Sequence, residues 1–220
     1  MFTDRREAGR ALARALARLR DEDPVVLALP RGGVTVGDEV ARALDAPLDV
    51  LVVRKLGAPG QPELAMGAVV DGDRPQEVLN EEIVELLGVS PAELAHAVRH
   101  ELGEIARRHR LYRGERLPEP ITGRTVIVVD DGIATGATVR AALRALRRAR
   151  PRRLVLAVPV APADTVAALR PEVDTLVCLD SPEPFIAVGA HYRDFDQVRD
   201  EEVVAALEAA RRRRPACRPA

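Results

Sequence analysis

The chain has 220 residues, 47% hydrophobic and 30% charged, near the averages of soluble globular proteins. Its 15 glycines and 17 prolines fall short of low-complexity composition. A chain of this length buries about 70% of its unfolded surface, so its core needs neither disulfide nor metal. Collagen-like, disordered and disulfide-scaffold classes are excluded. The 33 basic and 34 acidic residues nearly cancel, which leaves no global field for nucleic acid and makes a nucleic-acid partner an unfavoured expectation. The longest uninterrupted basic run is Arg211-Arg212-Arg213-Arg214, and it reads as a solvated helix end fraying into a flexible tail, 211–220. Cys178 and Cys217 have neither metal-ligand nor disulfide-framework spacing, which suits a reducing cytoplasm. The opening residues lack the apolar core of a signal peptide, and no apolar run approaches a membrane span. The expectation is a cytoplasmic protein without a membrane partner.

Helical and strand signals alternate along the chain, the pattern of an α/β domain with a parallel sheet. Thr3 is the expected cap of a first helix with Ala8, Leu12, Ala15, Leu16 and Leu19 on one face. The apolar run Val25 to Leu29 then ends at Pro30-Arg31-Gly32-Gly33. A helix through Val36, Val40, Ala43 and Leu44 precedes a second strand, Val50 to Val53. Unbroken apolar runs of this kind fit strands buried on both faces.

Residues 54–66 carry glycine and proline without a period and read as a mobile loop. From 67 to 120 the alternation stops. A hairpin-like stretch around Asp71-Gly72-Asp73 leads to Glu81–Leu87 and then to a long helix from Pro91 to about Tyr112. Ser90, Pro91 and Glu93 mark the start of that helix as a capping box, worth on the order of 1 kcal/mol. The stretch 67–120 therefore reads as an inserted helical and hairpin hood within a single domain, 1–220. Alternation resumes with strand Val126–Val129, helix Ala137–Arg148, strand Leu154–Val158, short helix Asp164–Leu169, strand Leu176–Leu179 and a closing helix, Asp200–Arg212. The prediction is an open, mainly parallel five-stranded sheet flanked by helices.

The most informative stretch runs from Val126 to Thr138. A buried strand delivers Asp130 and Asp131 to its C-terminal end, where open α/β sheets bind ligands. After Gly132, Ile133 and Ala134, the turn Thr135-Gly136-Ala137-Thr138 opens a helix with small side chains and two hydroxyls. Backbone N–H groups there can converge on one anion, which the helix dipole favours. Acceptors for hydroxyls thus stand beside donors for a phosphate, the spacing of groups on a ribose phosphate. Two acidic residues closing an apolar strand need partners or solvent, and a helix cap would account for only one. Other phosphate loops fail: the single lysine is followed by Leu56, not Ser or Thr, and no Gly-x-Gly occurs.

This stretch resembles the type I phosphoribosyltransferase family, whose loop is an apolar strand, two acidic residues, three linking residues and Thr-Gly-x-Thr. The resemblance implies that Asp130 and Asp131 hold the ribose hydroxyls of phosphoribosyl pyrophosphate. It likewise implies that Thr135, Gly136, Ala137 and Thr138, with the linking Gly132, Ile133 and Ala134, hold its 5′-phosphate. Arg31, Gly32 and Gly33 then stand where the family binds pyrophosphate, and the glycines would allow close backbone approach. The mobile loop that closes over the family's active site corresponds to 54–66, and Arg54-Lys55 is similar to a pair in the orotate-type enzymes. Base recognition falls to the insertion 67–120, the first helix or the loop after the last strand. The implied reaction transfers ribose 5-phosphate to a nucleobase or related small acceptor, with Mg²⁺ on the departing pyrophosphate and no firm protein ligand to the metal. The insertion matches no base-specific enzyme; the whole chain is most similar to phosphoribosyltransferases of unassigned substrate. A homodimer is an open expectation. The competing reading is a non-catalytic regulator that senses phosphoribosyl pyrophosphate or a nucleotide on the same fold. A diphosphokinase shares the loop but would need a duplicated domain.

Weaker signals complete the reading. His96, His100 and Glu104 form a helical stripe off the apolar face and read as solvated. Phe185, Tyr192 and Phe195 concentrate three of the five aromatics in one late loop, with His191 among them. Phe185 either plugs the sheet end or stacks on a flat base. Glu63 is a candidate to close with the loop, and Lys55, as the single lysine, is a candidate donor to pyrophosphate.

Overall fold

The structure, a computed structural model, describes residues 1–71 and 75–213, the side chains of Pro62 and Glu63 excepted. In chain order its first elements are α1 (Arg5–Leu16), β1 (Pro24–Ala28), α2 (Gly32–Leu44), β2 (Leu48–Val50), β3 (Val53–Ala58), β4 (Gln61–Val70), β5 (Gln76–Leu79), α3 (Glu81–Leu86) and α4 (Pro91–Arg113). Then follow β6 (Thr125–Val129), α5 (Ala137–Arg148), β7 (Arg153–Val160), α6 (Ala163–Leu169), β8 (Thr175–Asp180) and α7 (Asp200–Arg213). Five strands form the expected parallel sheet in the order β2-β1-β6-β7-β8. Both central strands, β1 and β6, are buried along their whole length, as their unbroken apolar runs require.

Alternate side chains of each strand serve opposite faces. Val26, Ala28, Ile127 and Val129 pack with Leu12 and Leu16 of α1, Val36 and Val40 of α2, and Val203 and Leu207 of α7. Val25, Leu27, Val126 and Val128 pack with Val139, Leu143 and Leu146 of α5 and with Leu169. The sheet is thus covered on both sides, and its C-terminal edge stays available for loops. Among the described residues, no helix is long and apolar enough to cross a membrane.

Three local readings are corrected. Residues 54–66 are not a loop: β3 and β4 form an antiparallel hairpin turning at Gly60, whose φ is +72°. Leu56 and Ala58 face the core while Lys55 is exposed, but irregular register at Leu56–Ala58 breaks the strict alternation that would betray a strand. The departure from alternation consequently begins at Val53, not at 67, and adds a second sheet, β3-β4-β5. Asp4, not Thr3, caps α1: its carboxylate accepts the Glu7 N–H at 2.7 Å, and the Thr3 N–H turns back to the Glu7 carboxylate. Residues 211–213 belong to α7, where Arg213 pairs with Asp38 of α2, whereas Arg214 and Cys217 lie outside the described residues. Gly72 and Asp73 of the expected hairpin-like stretch lie outside them too, but β4 and β5, to either side, pair in antiparallel fashion. The capping box at Ser90 and Glu93 forms in full.

Candidate active site

Strands β1 and β6 are neighbours, and each ends in one of the two turns singled out by the sequence. Gly32 and Gly33 lie against the two carboxylates. A methyl group on Gly33 would sit 2.8 Å from the Val129 carbonyl oxygen and 3.1 Å from Asp130 Oδ1. One on Gly32 would fall 1.9 Å from Asp131 Oδ2, so no larger residue fits while that carboxylate stays in place. Asp130 Oδ1 accepts the Asp131 N–H at 2.8 Å. Burial, and then the adjacent Asp131 charge, push the Asp130 carboxyl well above the ordinary carboxylate range.

From there the chain passes buried Gly132 and Ile133, the latter anchored by its N–H to the Val160 carbonyl at 3.0 Å. The Thr165 hydroxyl donates to the Ala134 carbonyl at 2.7 Å and fixes the approach to the helix. Gly136 caps α5 with φ +74°, a conformation that favours glycine, and no side chain accepts the first-turn N–H groups. Thr135, Ala137 and Thr138 are exposed around that end. The arrangement offers backbone donors and two hydroxyls to an anion, on the same strand–helix connection as the carboxylate pair.

Arg5 is a residue that sequence reasoning missed. From the first turn of α1 its Nε donates to Asp131 Oδ2 at 2.6 Å, with both side chains largely buried. The same guanidinium donates to the Asp196 carbonyl at 2.8 Å and lies 3.8 Å over the Phe195 ring. Tyr192 adds a hydroxyl hydrogen bond to the Asp131 carbonyl, and burial holds that phenol above its ordinary range. Backbone hydrogen bonds between Phe2 and Thr3 and residues 191–194 tie the start of the chain to this late loop. The first helix and the loop after β8 therefore meet over Asp131. Concentrated aromatics were the available signal for Tyr192 and Phe195; nothing local marked Arg5.

The remaining candidates are distributed as follows. Arg31 lies 4.0 Å from Asp200 of α7, which also accepts the Tyr112 hydroxyl at 2.5 Å. Burial first, and then that bond, push the Tyr112 phenol up to about 12. Arg54 is held by Glu101 of α4 at 2.7 Å, and Lys55 is exposed on β3. Phe185 packs with its ring 5.0 Å from that of His191, beside a small cluster of Ala8, Val160 and Tyr192. Glu104 is engaged by Arg107 and Arg108, chiefly through its hydrogen bonds to Arg107, which lower its carboxyl to about 2. Among the described residues, no group of three or more His, Cys, Asp or Glu side chains could hold a metal ion.

The sequence profile of the phosphoribosyl transferase domain family matches residues 1–193. A Mycobacterium tuberculosis (strain H37Rv) protein, provisionally named a phosphoribosyl transferase, is 50% identical over 212 residues, covering 96% of this chain. The chain spans about half of that relative's length, 47%. The "Bifunctional protein PyrR" of Deinococcus radiodurans is 35% identical over 135 residues, 60% of this chain and 72% of its own. The crystal structure of TT1426 from Thermus thermophilus is 46% identical with a TM-score of 0.83, covering 94% of this chain and 97% of its own. By its sequence profile, and by a five-stranded sheet of the expected kind, the chain belongs to the phosphoribosyl transferase domain family.

Proposed function

We propose that the chain is an enzyme transferring the ribose 5-phosphate of phosphoribosyl pyrophosphate to a nucleobase or related small acceptor. In that reaction the C1–oxygen bond to pyrophosphate breaks, a bond from C1 to the acceptor forms, and the acceptor loses its proton. The observation carrying the proposal is the juxtaposition at the ends of β1 and β6 of a glycine turn, a carboxylate pair and a helix start without a side-chain cap. These are three subsites of complementary chemistry at one edge of the sheet.

In this reading the Thr135–Thr138 turn binds the 5′-phosphate, and Asp130 and Asp131 accept from the ribose hydroxyls. Arg5 fixes Asp131 through Oδ2 and so orients its other oxygen. The backbone at Gly32 and Gly33, with Arg31, takes the pyrophosphate. Arg54 and Lys55 ride on a hairpin, so the closing element is a two-stranded unit and not a slack loop. Phe185, on the loop whose neighbours cover Asp131, supplies a flat apolar surface for the acceptor. Mg²⁺ would be held chiefly by the diphosphate oxygens and waters, with Asp130 or Asp131 reaching it through water. When bound, it would neutralise the charge of the leaving pyrophosphate. The cytoplasm, where such substrates are met, is the proposed compartment.

The test is a panel of purine and pyrimidine bases with phosphoribosyl pyrophosphate and Mg²⁺, followed by pyrophosphate release. Release with at least one acceptor is expected. Tight binding of phosphoribosyl pyrophosphate without release for any acceptor would replace the enzyme by a regulator.

A further inference from the structure

Arg31 and Arg54, the two arginines that the sequence marks for the transfer site, are held in different ways. Arg54 donates through Nε to Glu101 of α4 at 2.7 Å, and the Glu101 side chain is only 14% exposed. Arg31 has a side chain 36% exposed, with Nη1 4.0 Å from Oδ1 of Asp200. That separation lies within reach of charge but beyond a hydrogen bond. Among the described residues the Arg31 guanidinium makes no hydrogen bond. One arginine is spent on the fold, and the other is held by charge alone.

The partner that holds Arg31 is itself fixed. Asp200 opens α7, where the helix dipole favours a carboxylate. Its Oδ1, the oxygen nearest Arg31, accepts the Tyr112 hydroxyl at 2.5 Å. Tyr112 is 3% exposed in the last turn of α4 and shares one core cluster with Val98 and Ile105 of its own helix and Val203 and Leu207 of α7. Close packing there leaves the phenol no room to wander. A buried phenol thus sets the carboxylate, and the charge of the carboxylate sets where the half-exposed guanidinium dwells.

The strengths of these contacts suit a donor that must change partners. An exposed ion pair is worth about fivefold or less in an equilibrium, so a diphosphate offering several charged acceptors takes Arg31 over. Ordering a long side chain on binding costs about two- to tenfold in affinity, and a guanidinium already confined avoids part of that loss. We propose that Asp200, seated by the Tyr112 hydroxyl, is a positioning residue for Arg31: it confines the guanidinium beside the Gly32–Gly33 turn with its N–H groups unspent, ready to donate to a diphosphate. This rests on the reading of that turn as the pyrophosphate subsite. It also gives the insertion a part in the transfer site, because α4 acts on Arg31 through Tyr112 without touching the ligand.

Inorganic pyrophosphate with Mg²⁺ and ribose 5-phosphate are the probes, each titrated into the full chain by calorimetry. Arg31→Ala should weaken pyrophosphate at least about tenfold, as loss of charge-assisted hydrogen bonds implies. Asp200→Asn, which keeps an oxygen for Tyr112, should weaken it about three- to tenfold, and Tyr112→Phe should do so by less. Added to Arg31→Ala, Asp200→Asn should bring no further weakening, since it acts only through Arg31. Ribose 5-phosphate should bind each variant within about twofold of wild type. Without ligand, the Arg31 Nε–Hε NMR signal, assigned by its loss in Arg31→Ala, should move in Asp200→Asn. Equal weakening by Asp200→Asn with and without Arg31, a parallel loss of ribose 5-phosphate, or an unmoved Arg31 signal overturns the positioning role alone. Pyrophosphate that fails to bind, or that binds Arg31→Ala as tightly as wild type, overturns the pyrophosphate reading of the turn and this proposal with it.

Discussion

Replacing Asp130 by Asn should make the protein more stable and less able to bind its ligand. The carboxyl is pushed well above its ordinary 3.8 by burial first and by Asp131 second, so the folded protein is burdened by its ionised form. Asparagine keeps an oxygen for the 2.8 Å hydrogen bond from the Asp131 N–H and removes the charge. Relief of one such liability is typically worth about 0.5–2 kcal/mol. At about 2–4 °C per kcal/mol for a chain of this size, Tm should rise by roughly 1–8 °C at neutral pH. Because the native state holds this proton more tightly than the unfolded chain, wild-type stability falls as pH rises from 3.8 through the raised folded value. The variant lacks that slope. The difference in Tm should therefore be small near pH 4 and widen towards neutrality, while affinity for phosphoribosyl pyrophosphate drops by about 1.5–3 kcal/mol. Differential scanning calorimetry across pH, paired with isothermal titration, reads both. A variant no more stable than wild type at neutral pH, or a gap independent of pH, refutes the reasoning.

Other substitutions probe the neighbouring contacts. Gly32→Ala places a methyl 1.9 Å from Asp131 Oδ2, so that carboxylate must leave Arg5; affinity by calorimetry should fall at least about tenfold, for about 1–3 kcal/mol of stability. Arg113→Met strands the buried carboxylates Asp49 and Asp71 and should cost about 3–5 kcal/mol, seen as a Tm lower by roughly 10 °C. Lys55→Ala should reduce turnover about 10²-fold, as for loss of one transition-state donor, with Lys55→Arg recovering only part. Steady-state kinetics should place that loss in kcat more than in KM, and near wild-type turnover would remove Lys55 from the chemistry.

What could be read in the sequence was whatever is encoded within a dozen residues. Val25–Leu29 and Val126–Val129 announce buried strands because both faces of each are covered, and α5 spans the expected Ala137–Arg148. The Ser90–Glu93 box works for the same reason, since its hydrogen bonds close within one turn. The hairpin at 53–70 escaped because Gly57, Pro59, Gly60 and Pro62 look like loop punctuation. Its strand character is imposed from outside, by β5 pairing along one edge and by Leu56 and Met66 packing into the core.

Arg5 illustrates the harder limit. Helix α1 contains several arginines that periodicity does not rank, yet one alone reaches a carboxylate 126 positions away. That choice depends on where α1 lies across the sheet, which is settled by Leu12 and Leu16 packing against α2 and the β1–β6 face. Burial of apolar residues thus decides which charge meets which, and the Arg113 network with Asp49 and Asp71 follows the same logic at the other junction. The two networks differ in one respect. Arg5 clamps one oxygen of Asp131 and is itself held by Asp196 and Phe195, so that carboxylate is held in one orientation. Arg113 is spent on its own neighbours, Asp49, Asp71 and the Val50 carbonyl. The first network therefore lies at the sheet edge of the proposed transfer site, whereas the second ties the end of α4 to β2 and to the residue that follows β4.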